Sequence, residues 1–124
     1  MARTLRRRQL RRQERVPNLL WSNAVTRNKQ CVMCAAFGRP EQRELWPDTM
    51  RRDGHHITPQ HWLRANGYQA FLWDLRNGLC LCRYHHARHE SYIQRIPRRL
   101  IPAKAIQFAN EVGALWLLER NYPG

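Results

Sequence analysis

Residues 77–90 read Asn-Gly-Leu-Cys-Leu-Cys-Arg-Tyr-His-His-Ala-Arg-His-Glu. Upstream stand Cys31-Val-Met-Cys34 and the stretch Asp53-Gly-His-His-Ile-Thr-Pro59. The three segments collect all four cysteines and all but one of the six histidines of a 124-residue chain. Thiolate and imidazole together are the ligands that hold zinc, whereas imidazole with carboxylate suits a catalytic divalent ion. Both kinds of site are interleaved here, because Cys82 and His85 adjoin His86.

Two cysteines two residues apart can turn both thiolates onto one tetrahedral zinc. Paired with Cys82-x-x-His85 further along, Cys31 and Cys34 predict a structural zinc site of Cys31, Cys34, Cys82 and His85. A rival set takes Cys80 in place of His85. A chain this small that encloses long loops has little core, so bound zinc would supply much of its folding energy.

The second cluster is the pair His55-His56. Neighbouring residues on an extended segment point to opposite faces, so one histidine can bind a metal while the other meets substrate as a general base. The third begins at His86, which on a helix shares a face with His89 and Glu90. Either of these can complete an ion site with His55 and His86. A register in which His85 and His89 form the metal pair also remains open.

Charge and length bound the rest. A length of 124 residues suits one domain. Twenty-two Lys and Arg against nine Asp and Glu give a net charge of +13 and a pI near 11.1. Such a charge self-repels unless a polyanion neutralises it, which makes nucleic acid the first partner to expect. No apolar run approaches the roughly 18 residues that span a bilayer, and the N-terminus lacks the apolar core of a signal peptide. Free cysteines in that setting point to a reducing, cytoplasmic location.

Residues 1–15 form a basic arm, with Arg6, Arg7, Arg8, Arg11 and Arg12 as expected phosphate contacts. The remainder, 16–124, is expected to be one domain. A short helix is predicted over 16–27 and an irregular connection over 35–52. One strand should end in the histidine pair, and a loop or short helix should cover 58–67. A strand or helical turn follows over 68–75, then a strand over 79–82 and a helix from 83 to about 95. A last helix over 102–119 should turn Ile106, Phe108, Ala109, Val112, Leu115, Trp116 and Leu118 to the core.

The order Cys-x-x-Cys, His-His-Ile-x-Pro, then Asn77 ahead of Cys82-x-x-His85-His86, resembles the HNH endonucleases with a zinc-ribbon-like staple, over about residues 31–90. The resemblance implies an α+β fold, the zinc-stapled ββα-metal or treble-clef-like finger, here with flanking helices. It also implies roles. His55 and His86 ligate the catalytic ion, His56 is the general base, and Asn77 orients the loop that carries it. The short basic chain is most similar to the small HNH proteins that bacteriophages encode beside the packaging terminase, which implies terminase or other packaging proteins as partners.

Three features depart from the family pattern. His85 stands where a second cysteine is usual, the third ion ligand falls on Glu90 or His89, and Cys80 has no family role. The expected activity is metal-dependent hydrolysis of DNA phosphodiester bonds, as nicks or double-strand cleavage, with Mg2+, Mn2+, Ni2+ or Zn2+ as the catalytic ion. Arg83 and Arg88 on the ligand helix, with Arg51 and Arg52 before the histidine pair, are candidate phosphate contacts. A non-catalytic zinc-finger nucleic-acid binder and a docking adaptor are the alternatives. The binder has no need of His55, His56 and Asn77, and the adaptor reading rests on the unassigned ends as docking surfaces.

Overall fold

The computed structural model describes residues 2–124, with side chains from Glu14 onward. The arm arginines Arg6, Arg7, Arg8, Arg11 and Arg12 therefore have side chains outside the described residues. The centre is a two-stranded antiparallel sheet, β1 (Arg52–His56) and β2 (Gly78–Cys82). Its register pairs Arg52 with Cys82, Gly54 with Cys80 and His56 with Gly78. Helix α5 (Arg83–Glu90) leaves β2 with no intervening loop, and Cys82 caps it by accepting from the His85 amide. The resulting ββα unit sets the cysteine–histidine clusters against one another.

Helix α1 (Ala2–Thr26) is much longer than the expected 16–27 element and runs through Pro17. Proline lacks the N–H for one intrahelical bond, and the helix continues past that single gap. α1 crosses the sheet through Trp21 and Val25, both buried. Two glycines make that approach possible. A Cβ at Gly54 would stand 2.8 Å from the Trp21 ring, and one at Gly78 would stand 2.3 Å from Val25. Any side chain at either position would push the helix off the sheet.

Short elements fill the connections: α2 (Val32–Phe37), α3 (Trp46–Met50) and α4 (Gln60–Ala65), with 3-10 turns at Arg43–Leu45, Gln69–Phe71, Leu75–Asn77 and Arg98–Leu100. The 68–75 segment thus forms turns, not a strand, and Leu72 alone of its apolar residues is fully buried. The "irregular" 35–52 stretch holds α3, which Pro47 starts at its first turn.

The expected single helix over 102–119 is two helices, α6 (Ala103–Glu111) and α7 (Leu115–Asn121). Gly113 adopts φ 76° between them. Its amide bonds Asn110 O while the Ala114 amide bonds Ala109 O, the double closure that a left-handed residue allows. The chain turns there, so Trp116 is exposed instead of core. Helix α5 also ends earlier than expected, at Glu90 and not near Arg95. α6 and α7 bury Ala105, Ala109 and Leu118 against Ile57, Leu79, Leu81 and Met33, and bury Phe108, Val112 and Leu117 against Leu63 and Leu72. Among the described residues no helix is long and apolar enough to cross a membrane.

Candidate metal and nuclease centre

Cys31, Cys34, Cys82 and His85 converge from the start of α2 and the β2–α5 junction. Cys34 Sγ lies 3.7 Å from Cys82 Sγ, and His85 Nδ1 lies 3.4 Å from Cys34 Sγ, 3.3 Å from Cys82 Sγ and 3.7 Å from Cys31 Sγ. A zinc tetrahedron with bonds of ~2.3 Å to sulfur has edges of about 3.8 Å, so the four atoms fit such an ion. Two backbone amides support the thiolates: Cys34 N donates to Cys31 Sγ and His85 N to Cys82 Sγ, each at 3.4 Å. Hydrogen bonding from Cys82 pulls the Cys31 thiol well below its ordinary range, while the same contact pushes Cys82 up. Burial and the charge of Cys31 raise Cys34. A cation is what would let all three ionise together.

Cys80 takes no part in that set. It lies against Lys29, its Sγ 3.8 Å from Lys29 O, and burial raises its thiol.

The second cluster is His55, His86 and Glu90. His55 Nδ1 faces His86 Nε2 at 3.3 Å, and Glu90 Oε1 lies 3.6 Å from the first and 3.3 Å from the second. The other ring nitrogens have their own partners. Tyr122 Oη donates to Ile57 O at 2.9 Å, so it accepts the Nε2–H of His55 at 2.7 Å. His86 Nδ1–H donates to Asp53 Oδ2 at 3.1 Å. Both lone pairs that remain, His55 Nδ1 and His86 Nε2, point at the same space as Glu90. Two imidazoles and a carboxylate, each imidazole oriented from behind, fit a divalent ion. Burial first, then the neighbouring His89, His86 and Arg95, hold His55 neutral well below ordinary imidazole range, as a ligand must be.

His89, the other candidate third ligand, is turned away from that role. Its Nδ1 accepts from the Ile96 amide at 3.0 Å, and its ring stacks on Tyr122 at 5.2 Å. Burial, then Arg95 and His86, lower it to about 4.

His56 is the neighbour of His55 yet lines the same cleft of about 500 Å³, because β1 ends there. Its Nε2 bonds Leu72 O at 2.8 Å, and a carbonyl can only accept, so that nitrogen carries the proton. Nδ1 is left as the basic atom and receives the Gln60 amide at 3.2 Å. Trp21 stacks on the ring at 3.9 Å and 18°, and donates its own Nε1–H to Asp74 O. Burial, with Arg64 adding to it, brings His56 down to about 4 against the opposing Leu72 bond.

Asn77 is fully buried. Its Oδ1 accepts from Thr58 N at 2.7 Å, its Nδ2 donates to Thr58 O at 2.9 Å, and its carbonyl accepts from Ile57 N at 3.0 Å. Three bonds thus pin the segment that follows His56.

The arginines are arranged differently from expectation. Arg83 pairs with Asp53 at 3.6 Å, Arg88 bonds Gln94, Arg52 bonds Thr49 O, and Arg51 is exposed. None of these four lines the cleft. Arg64 and Arg95 do. Arg64 bonds Glu14 at 2.5 Å, and Arg95 bonds His89 O at 2.6 Å and Asn121 O at 3.1 Å. Sequence reasoning missed both, as it missed Tyr122, Trp21 and Asp53. Only Asp53 had a local signal, since strand alternation puts it on the face of His55.

A family model described as HNH endonuclease matches residues 31–93, from Cys31 to just past α5. No curated protein and no solved structure matches the chain significantly. The matched segment covers half of the chain and contains both clusters, His56 and Asn77: the chain belongs to the HNH endonuclease family.

Proposed function

We propose that this chain hydrolyses DNA phosphodiester bonds at the cleft between β1 and α5, with a divalent ion held by His55, His86 and Glu90 and with His56 as general base. The observation that carries the reading is the orientation of the donor atoms. Three ligand atoms share one space, and His56 lines the same cleft with Nδ1 as its basic atom, covered by the Gln60 amide that an attacking water would displace. The ion, when bound, stabilises negative charge on the scissile phosphate and leaving oxygen. His56 Nδ1 takes a proton from the attacking water, its other nitrogen anchored on Leu72 O. Asn77 keeps that histidine placed by holding Ile57 and Thr58. Arg64 and Arg95 face the cleft as phosphate contacts.

Zinc at Cys31, Cys34, Cys82 and His85 is the structural staple. The charge of +13 and the arginine-rich first fifteen residues support backbone contact with DNA outside the cleft. Similarity in size and charge to small phage-encoded HNH proteins supports a place beside a packaging terminase. A binder without catalysis has no use for the His55–His86–Glu90 set. Supercoiled-plasmid nicking by the purified protein, titrated with Mg2+, Mn2+, Ni2+ and Zn2+, tests the reading: nicking should require an added ion. Failure with every ion would overturn it.

A further inference from the structure

Three helices of this chain close with the same backbone motif, and one of them uses an improbable residue. α4 ends at Gly67 (φ 82°), with Gly67 N on Arg64 O and Tyr68 N on Leu63 O. α6 ends at Gly113 in the same way. α5 ends at Tyr92 (φ 60°), with Tyr92 N on His89 O at 3.1 Å and Ile93 N on Arg88 O at 2.9 Å. Glycine suits this left-handed position because it has no Cβ, and a bulky aromatic there is strained. Strain of that kind collects at functional sites.

The Tyr92 ring contributes little to the core that would justify the strain. The residue is 74 % exposed, and Ile93 beside it is 64 % exposed. Instead Tyr92 lines the cleft with His55, His86 and Glu90. Arg95 packs its guanidinium 4.3 Å from the ring centre and is itself tied to two backbone carbonyls. An aromatic face is thus presented to solvent at the edge of the candidate ion site, with a cation fixed against it. In a basic protein whose family acts on DNA, the group that fits an exposed ring beside a phosphate-binding cation is a nucleobase.

We propose that Tyr92 stacks on a nucleobase next to the scissile phosphate, with Arg95 holding the ring in place. The proposal rests on the DNA-cleaving reading above, but it is read out by binding, without cleavage.

The test compares Tyr92→Gly, Tyr92→Phe and Tyr92→Leu with the parent. Tyr92→Gly relieves the backbone strain, so its melting temperature should equal or exceed the parent's. Its affinity for a fluorescein-labelled duplex, measured without added divalent ion, should still fall about five- to a hundredfold. Tyr92→Phe should bind like the parent and Tyr92→Leu should not, because the ring and not its hydroxyl or bulk makes the contact. In a duplex carrying 5-iododeoxyuridine, irradiation should crosslink the base to Tyr92. Parent-like binding by Tyr92→Gly, equal binding by the Phe and Leu variants, or a marked loss of melting temperature in Tyr92→Gly would each overturn the proposal. A parent that binds and crosslinks the duplex but nicks with no ion would sink the nuclease reading and leave this contact standing.

Discussion

Tyr122 and His55 are joined at 2.7 Å, and the direction of that bond is fixed by the second bond the phenol donates to Ile57 O. The consequence is a single available tautomer of His55, with Nδ1 facing His86 and Glu90. Tyr122 lies outside the matched family segment, just beyond α7, so the C-terminal end of the chain orients a histidine of the central motif. Tyr122→Phe should weaken Mn2+ binding by about 10- to 100-fold, the usual cost of losing such an orienting partner. Its zinc content should stay unchanged. Titration of manganese by electron paramagnetic resonance checks this, and parent-like affinity would show that the phenol does not set the ligand.

Much of the candidate centre was legible in the sequence because side chains able to share a metal must be close in space, and their spacing betrays them. Cys31, Cys34, Cys82 and His85 come together as the spacing predicts, and so do His55, His86 and Glu90. The third ligand was ambiguous on helical spacing alone, since His89 and Glu90 both share a face with His86. Tertiary packing gives His89 Nδ1 to the Ile96 amide, which favours Glu90 in the proposed ion site. Tyr122 and Trp21 were invisible for a related reason: they come from the C-terminal end and from α1, with no local pattern to mark them, while Arg64 and Arg95 lie near the motif in sequence but at no spacing that singles them out. The α5 terminus was misjudged because its closing residue is Tyr92, where a reader expects glycine. The break after Glu111 rests on Gly113, which the sequence did show but whose left-handed turn it did not.

The two sheet glycines beneath α1 offer a second test. Gly78→Ala would place a methyl against Val25 and 3.1 Å from the Trp21 ring. Overpacking of this kind costs about 1–3 kcal/mol, so the urea midpoint should drop. Because Trp21 stacks on His56, nicking should fall beyond what the lost folded fraction explains. An unchanged midpoint would mean that α1 does not sit against the sheet as described.

The proposed zinc staple predicts a folding dependence. Cys31→Ala or Cys34→Ala should abolish tight zinc binding and leave a protein that is unfolded by circular dichroism or insoluble. A folded, zinc-free Cys31→Ala protein in chelator would contradict the staple.

Acid sensitivity follows from the buried histidines. Burial holds His56 and His89 at about 4 in the folded protein, against about 6.5 in an unfolded chain. Between those values the unfolded state binds more protons, so stability is complete above about pH 6.5 and is lost as pH falls toward 4. For protein without added divalent ion, the urea midpoint should decline between about pH 6.5 and 5. A loss on the order of 1–3 kcal/mol is expected for the pair. A flat midpoint across that window would show that these rings are not held neutral.

The proposed reaction has His56 as its base, with His55, His86 and Glu90 holding the ion. Its most direct test is supercoiled-plasmid nicking by His56→Ala beside the parent, at saturating Mn2+ and equal zinc content. Nicking should fall about 10²- to 10⁴-fold, the usual contribution of a general base, while duplex binding and manganese affinity stay near the parent's. A His56→Ala protein that nicks as fast as the parent would contradict the account.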